Sequence, residues 1–146
     1  MKKFLAGFCA AAIAAGCMGM TVMADTEATD KLTSYEATSD NVKLIGRTYR
    51  KGDTTILGYS ASGIEFKCTG TKAVFNVNGS VGEARIGVFV NGKLVKQGYI
   101  KNKKTNAVEV DLPEGESTVK LIKLSEAAQS VIAIDSFEVD GKPQPT

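Results

Sequence analysis

The sequence predicts an all-β domain, an antiparallel β-sandwich of jelly-roll type with eight or nine short strands. Residues 84–100 carry the strongest signal, two alternating runs joined by Asn91-Gly92, the dipeptide suited to the two positive φ angles of a type I′ hairpin turn. Turn signals also recur about every 8–12 residues between short alternating runs. Finally, no long stretch repeats its apolar residues at helical spacing, and no fixed-period repeat is present.

In chain order, the periodic pattern begins at Val42-Lys43-Leu44-Ile45 and runs through Gly46-Arg47-Thr48-Tyr49 to a turn at Lys51-Gly52-Asp53. Residues 54–59 read as the next strand. Residues 60–63 break the pattern before Ile64-Glu65-Phe66-Lys67-Cys68-Thr69, whose strict alternation marks a half-buried strand. Gly70-Thr71 turns the chain into 72–78, where Ala73, Phe75 and Val77 share a face. In the hairpin, Ile86, Val88 and Val90 share one face of the first arm, with Gly87, Phe89 and Asn91 on the other. After the basic turn Asn102-Lys103-Lys104, residues 107–112 alternate again. Pro113-Glu114-Gly115-Glu116 is a further turn, because Pro presets φ and Gly tolerates the awkward conformer. Strands follow at 119–124 and 131–139, separated by at most one helical turn at 125–129.

The flanks differ from this centre. Met1-Lys2-Lys3, an apolar run from Phe4 to Met23 and small residues up to Ala24 make a secretory signal segment, with cleavage after Ala24 and export of the remainder. Two alternatives stay open, a membrane-spanning anchor and lipoprotein processing at Cys17 in Ala14-Ala15-Gly16-Cys17. Residues 25–41, rich in Thr, Ser and acids, read as a flexible leader, and 142–146 as the start of a proline-rich linker. The sandwich itself is placed at 42–141.

Without Lys2 and Lys3 the 18 basic residues become 16, equal to the 16 acidic residues, all of which follow Ala24. A neutral, mixed surface offers no electrostatic footprint for nucleic acid or an anionic membrane. Cys68 is the one cysteine after Ala24, so the exported domain has no internal disulfide, and its apolar-phase position makes it a small buried hydrophobe.

The chain contains no His, so a Ser-His-Asp or Cys-His arrangement cannot be assembled from these residues. No nucleophile elbow, phosphate-cradling loop or zinc spacing is present. No cofactor is expected. Trp, the largest stacking platform for sugar rings, is absent; Tyr35, Tyr49, Tyr59 and Tyr99 are left for that role or for packing. Asp53, Asp135 and Asp140 are the acids nearest to a calcium set, but they form no clustered loop, and solvated turn acids are the expectation. Arg47, in a strand-like segment, and Lys123-Leu124-Ser125-Glu126, an ion-pairing set ending a strand, are read as surface charge or as contact points on one rim.

The segments Leu44-Ile45-Gly46-Arg47-Thr48-Tyr49, Tyr59-Ser60-Ala61-Ser62-Gly63-Ile64-Glu65-Phe66 with Thr69-Gly70-Thr71, and Arg85-Ile86-Gly87-Val88-Phe89-Val90-Asn91-Gly92 carry a family resemblance. They continue in order with Val119-Lys120-Leu121-Ile122-Lys123-Leu124-Ser125-Glu126-Ala127 and Val139-Asp140-Gly141. The ordered set resembles the N-terminal domain of carbohydrate esterase family 2, the acetylxylan esterases. The resemblance implies a jelly-roll domain ahead of an SGNH-type hydrolase domain, which carries the serine and histidine and removes O-acetyl groups from plant cell-wall polysaccharide. Nothing matching a Gly-Asp-Ser nucleophile block follows within these residues. No catalytic residue carries over to this chain.

The expectation is a non-catalytic module supporting an SGNH-type hydrolase domain, in cis or in trans, or helping to bind acetylated polysaccharide. The rival is a stand-alone carbohydrate-binding or cell-surface interaction module. Arg47, Tyr49, Tyr59, Lys123, Ser125 and Glu126 are the candidate interface or ligand residues.

Overall fold

The computed structural model describes residues 31–80, 84–128 and 130–146. The expected signal segment, Cys17 and the first part of the expected leader lie outside the described residues. The elements are β1 (Thr33–Tyr35), β2 (Lys43–Ile45), β3 (Thr48–Lys51), β4 (Thr54–Leu57), β5 (Gly63–Thr69) and β6 (Lys72–Gly79). They continue with β7 (Ala84–Val90), β8 (Lys93–Ile100), β9 (Thr105–Asp111), β10 (Glu116–Lys123), β11 (Ile132–Val139) and β12 (Gln144–Pro145).

These strands form two antiparallel sheets. One has the order β3-β4-β11-β6-β9 with β1 beside β11; the other has β12-β5-β10-β7-β8 with β2 beside β5. From β4 to β12 the chain changes sheet at every step except the β7–β8 hairpin, the crossing pattern of a jelly-roll-like sandwich. Asn91 and Gly92 take φ angles of 50° and 79°, so the hairpin turn is of the mirror-image kind that matches strand twist.

Alternation places every second residue between the sheets. Ile64 and Phe66 of β5, Val119 and Leu121 of β10, and Ile86 and Val88 of β7 face Phe75 and Val77 of β6 and Ile132, Ile134, Phe137 and Val139 of β11. The centre is aromatic: Phe66 stacks on Phe137 at 4.6 Å between centroids, Phe75 lies 6.1 Å from Phe66, and Tyr35 stacks on Phe137 at 5.8 Å. A register shift between Ile134 and Ser136 inserts Asp135 as a bulge. Strict alternation after Ile134 would turn Ser136 inward and Phe137 outward. The extra residue restores Phe137 to the interior and leaves Asp135 and Ser136 on the outer face.

The sandwich is longer at both ends than the periodicity indicates. Ala37, in the expected leader, is fully buried, and its carbonyl accepts the Thr55 hydroxyl at 2.7 Å. β1 pairs with Phe137–Val139, so the described part of 25–41 belongs to the fold. At the other end Pro143 is buried and β12 pairs with Phe66 and Lys67, where the tail reads as linker. Both strands are too short to show alternation, and proline is compatible with the edge of a sheet. The run 42–49 divides at Gly46 (φ 67°), which sends β2 to β5 in one sheet and β3 to β4 in the other.

Cys68 is buried, and burial, with a smaller contribution from the Asp140 carboxylate, pushes its thiol up to about 11. Burial would raise the Asp140 carboxyl, but bonds from the Thr71 hydroxyl and from the N–H groups of Thr71 and Lys72 outweigh it and hold the carboxyl below its usual value. Asp140 thereby ties the end of β11 to the β5–β6 turn.

Because Phe137 touches three other rings, Phe137→Ala is expected to cost about 3–5 kcal/mol in urea unfolding. A loss below about 1 kcal/mol would show that the stack is not the centre of the core.

Candidate functional site

Five of the six candidate residues meet at one end of the sandwich, where β4 leads into β5, β10 runs out toward β11, and β7 begins. The turn 59–62 is held by the Ser62 hydroxyl and the Ser62 N–H, both donating to the Tyr59 carbonyl, at 2.5 and 3.2 Å. It is tied to the end of β10 by two backbone bonds, Ala61 N–H to the Lys123 carbonyl at 2.9 Å and Lys123 N–H to the Ser62 carbonyl at 2.8 Å. The turn therefore stands rigidly and presents Tyr59, 51% exposed. The Arg47 guanidinium lies over that ring, 5.3 Å from its centroid. Ser60 donates to the Glu126 carboxylate at 3.2 Å, closing the cluster.

Lys123 occupies the inward phase after Val119 and Leu121, and it is fully buried. Its ammonium donates to the Ser125 carbonyl at 2.5 Å and the Glu126 carbonyl at 3.0 Å. The ion-pairing set expected at 123–126 is thus a main-chain cage: the amine folds the chain back over the core, and the Glu126 carboxylate takes the Ser60 hydroxyl instead. Desolvation lowers the Lys123 pKa below 10.5, against a smaller opposing effect of Glu126. The Ser125 hydroxyl is also buried, 3.0 Å from that of Ser130, and accepts the Arg85 N–H at 3.2 Å. Lys123 and Ser125 support the rim from beneath; Arg47, Tyr59 and Glu126 form its surface.

The pairing of Arg85 with Tyr99 and the apolar surroundings of Leu124 escaped the sequence reading of this rim. Arg85, on the outward phase of β7, lies 5.9 Å from the ring centroid of its cross-strand partner Tyr99, which is 64% exposed. Leu124, whose N–H bonds to the Arg85 carbonyl at 2.7 Å, converges with Leu94 and Phe89 over Gly87. The available signal was register: two outward residues on opposite arms of a hairpin become neighbours once the turn is placed. Along this end of the sandwich run two Arg–Tyr pairs with an apolar patch beside them. Exposed Tyr and Arg on a rigid base are the residue types enriched at protein interfaces.

Tyr49 is not part of this group. It lies 58% exposed on β3, in the other sheet. The acids weighed as a calcium set are dispersed: Asp53 is exposed in the β3–β4 turn, Asp135 lies in the bulge of β11, and Asp140 brackets Thr71 at the opposite end. Among the described residues no group of three or more His, Cys, Asp or Glu is placed to hold a metal ion.

The family model for the carbohydrate esterase 2 N-terminal domain matches residues 44–146. The chain belongs to this family.

Among solved structures, the fold of this esterase 2 N-terminal domain is similar to part of a family two carbohydrate esterase from Cellvibrio japonicus, with 19% identity and a TM-score of 0.67. The superposition covers 78% of this chain and 35% of that one. An acetyl xylan esterase from the rumen bacterium Butyrivibrio proteoclasticus gives 18% identity and a TM-score of 0.66, over 79% of this chain and 34% of that one. The domain thus spans about a third of these esterase structures. A carbohydrate-binding module, CBM36, in complex with calcium and xylotriose gives 16% identity and a TM-score of 0.61, over 72% of this chain and 97% of that one. No curated protein matches this chain.

The lowered pKa of Lys123 has a defined consequence for stability. The folded chain releases this proton at a lower pH than the unfolded chain. Just below pH 10.5 the unfolded state therefore binds more protons, and stability rises with pH. The raised Cys68 thiol gives the opposite slope over the same window, so the Lys123 contribution is read in urea unfolding as the difference between wild type and Lys123→Met, with the slope of stability against pH more positive in the wild type. An unchanged slope would mean that the buried amine carries no such penalty.

Proposed function

We propose that this chain is a non-catalytic β-sandwich module of an acetylxylan-esterase-like system, and that its Arg47–Tyr59–Glu126 rim docks an SGNH-type hydrolase domain. The observation that carries the reading is the family match, together with the alignment of this fold with only about a third of the esterase structures. The rim supplies the means. Its aromatic and guanidinium groups are exposed and paired, while Lys123 and Ser125 hold the chain beneath them. A hydrolase domain would supply the serine and histidine chemistry, for which these residues contain no histidine. The substrate class is acetylated plant cell-wall polysaccharide.

Calorimetry of the module with an SGNH-type family 2 hydrolase domain tests this. A complex should form and weaken about tenfold in Arg47→Glu or Tyr59→Ala. Absence of a complex, or equal affinity in the variants, would overturn the docking role.

A second reading, a stand-alone carbohydrate-binding module, is favoured by one observation: the fold aligns with 97% of the CBM36 module and only 35% of the Cellvibrio esterase. Measurable glycan affinity with no hydrolase domain present would support it.

Either role is exercised outside the cell, and we propose that residues 1–24 direct export. Protein recovered from culture medium should begin at Asp25. A mature N-terminus at a lipid-modified Cys17 would overturn cleavage after Ala24 in favour of an anchored form.

A further inference from the structure

We infer that the outer face of the β3-β4-β11-β6-β9 sheet, beside Tyr49, is a binding site for a neutral polysaccharide chain. The inference rests on the polysaccharide-associated role proposed above and assigns that role to a surface distinct from the Arg47–Tyr59 rim.

The register builds the site. Tyr49 pairs with Ile56, Ile56 with Ala133, and Ala133 with Asn78, so one row crosses four strands on the outer face. At the usual strand spacing that row extends about 14 Å, longer than a single sugar ring. Tyr49 and Lys51 wall one side of a depression of about 310 Å³; Ile56 and Ala133 line it, and Asn78, Gly79, Ser80 and Val131 complete it. The small side chain of Ala133 leaves the floor open beside the exposed Tyr49 ring.

Polar groups beside this floor are already oriented. The β11 bulge brings both Asp135 and Ser136 to the outer face. Asp135 accepts from the Thr54 hydroxyl at 3.3 Å and from the Asn78 amide at 2.9 Å, and Asn78 also donates to Thr105 at 3.2 Å. Asn76 donates to Ser136 at 3.0 Å and to Glu138 at 2.8 Å. These bonds hold the amide groups of Asn76 and Asn78 in place on the outer face of β6. The side chains therefore lose little freedom on binding.

The ligand class follows from this chemistry. An aromatic wall and a shallow apolar floor suit the C–H face of a sugar ring, and the fixed amides and hydroxyls suit its hydroxyl groups. A protein partner would require a larger apolar anchor than this floor provides. Charge argues for a neutral polymer: Asp135 and Glu138 are already bonded to amides, and among the described residues Lys51 is the one cation lining the depression.

The test is affinity electrophoresis of the full mature chain in gels containing soluble xylan, hydroxyethylcellulose or polygalacturonate. Wild type should be retarded by a neutral polymer, with affinity little changed by added salt. Tyr49→Ala and Asn78→Ala should each weaken binding about tenfold, Tyr49→Phe should retain it, and Tyr59→Ala on the rim should bind as wild type does. Tyr49 is exposed, so thermal unfolding of Tyr49→Ala should match wild type.

Retardation that survives unchanged in Tyr49→Ala and Asn78→Ala would place the site elsewhere and overturn this assignment while leaving the polysaccharide role intact. Retention by polygalacturonate alone, abolished by salt, would overturn the neutral ligand. No retention by any of the three polymers would overturn the site, and the calorimetric experiment with the hydrolase domain would decide the docking role independently.

Discussion

The stack of Phe66 on Phe137, with Phe75 and Tyr35 around it, is the contact on which the rest of this domain depends. It joins the middles of the two sheets, and every strand next to it must hold the register that keeps its apolar set inward. A slip of one residue would exchange the inner and outer faces of a whole strand. The bulge at Asp135 shows how strictly this operates. The extra residue keeps Phe137 in the stack and, by the same displacement, delivers a carboxylate and a hydroxyl to the outer surface. Core packing and surface chemistry are set by one irregularity.

The buried amine of Lys123 is a different kind of constraint. An inward position at the end of a core strand would ordinarily be apolar, and burying a charge there is unfavourable unless its hydrogen bonds are met. The Ser125 and Glu126 carbonyls meet them and turn the chain sharply after β10. That turn sets Glu126 beside Ser60, while backbone bonds to the Lys123 peptide hold the 59–62 turn that carries Tyr59. A polar group inside the fold thereby determines the shape of a rim outside it. This follows the general pattern in which a rigid base positions recognition groups on loops.

The rim and the Tyr49 face draw on different sheets. Arg85, Tyr99 and Leu124 stand on or beside the β7–β8 side of one sheet, and Tyr49, Asn76 and Asn78 on the outer face of the other. A sandwich has two outer faces by construction, since each strand sends alternate side chains outward. Such a module has room to engage a protein domain and a polymer on separate surfaces.

The sequence by itself determined the fold class, the hairpin at Asn91-Gly92, the interior set from β5 to β11 and the family, because alternation, turn chemistry and composition are local properties. It also marked Arg47, Lys123, Ser125 and Glu126 as contact points on one rim, with Tyr49 and Tyr59 as further interface or ligand candidates. The tertiary structure alone decided that Lys123 points inward to a carbonyl cage, that Arg85 and Tyr99 stand together, and that Tyr49 shares a row with Asn78 across four strands. β1 and β12 were hidden for the same reason. Two or three residues are too few to show a period, and cross-strand neighbours are set by pairing between distant segments, which no local pattern encodes.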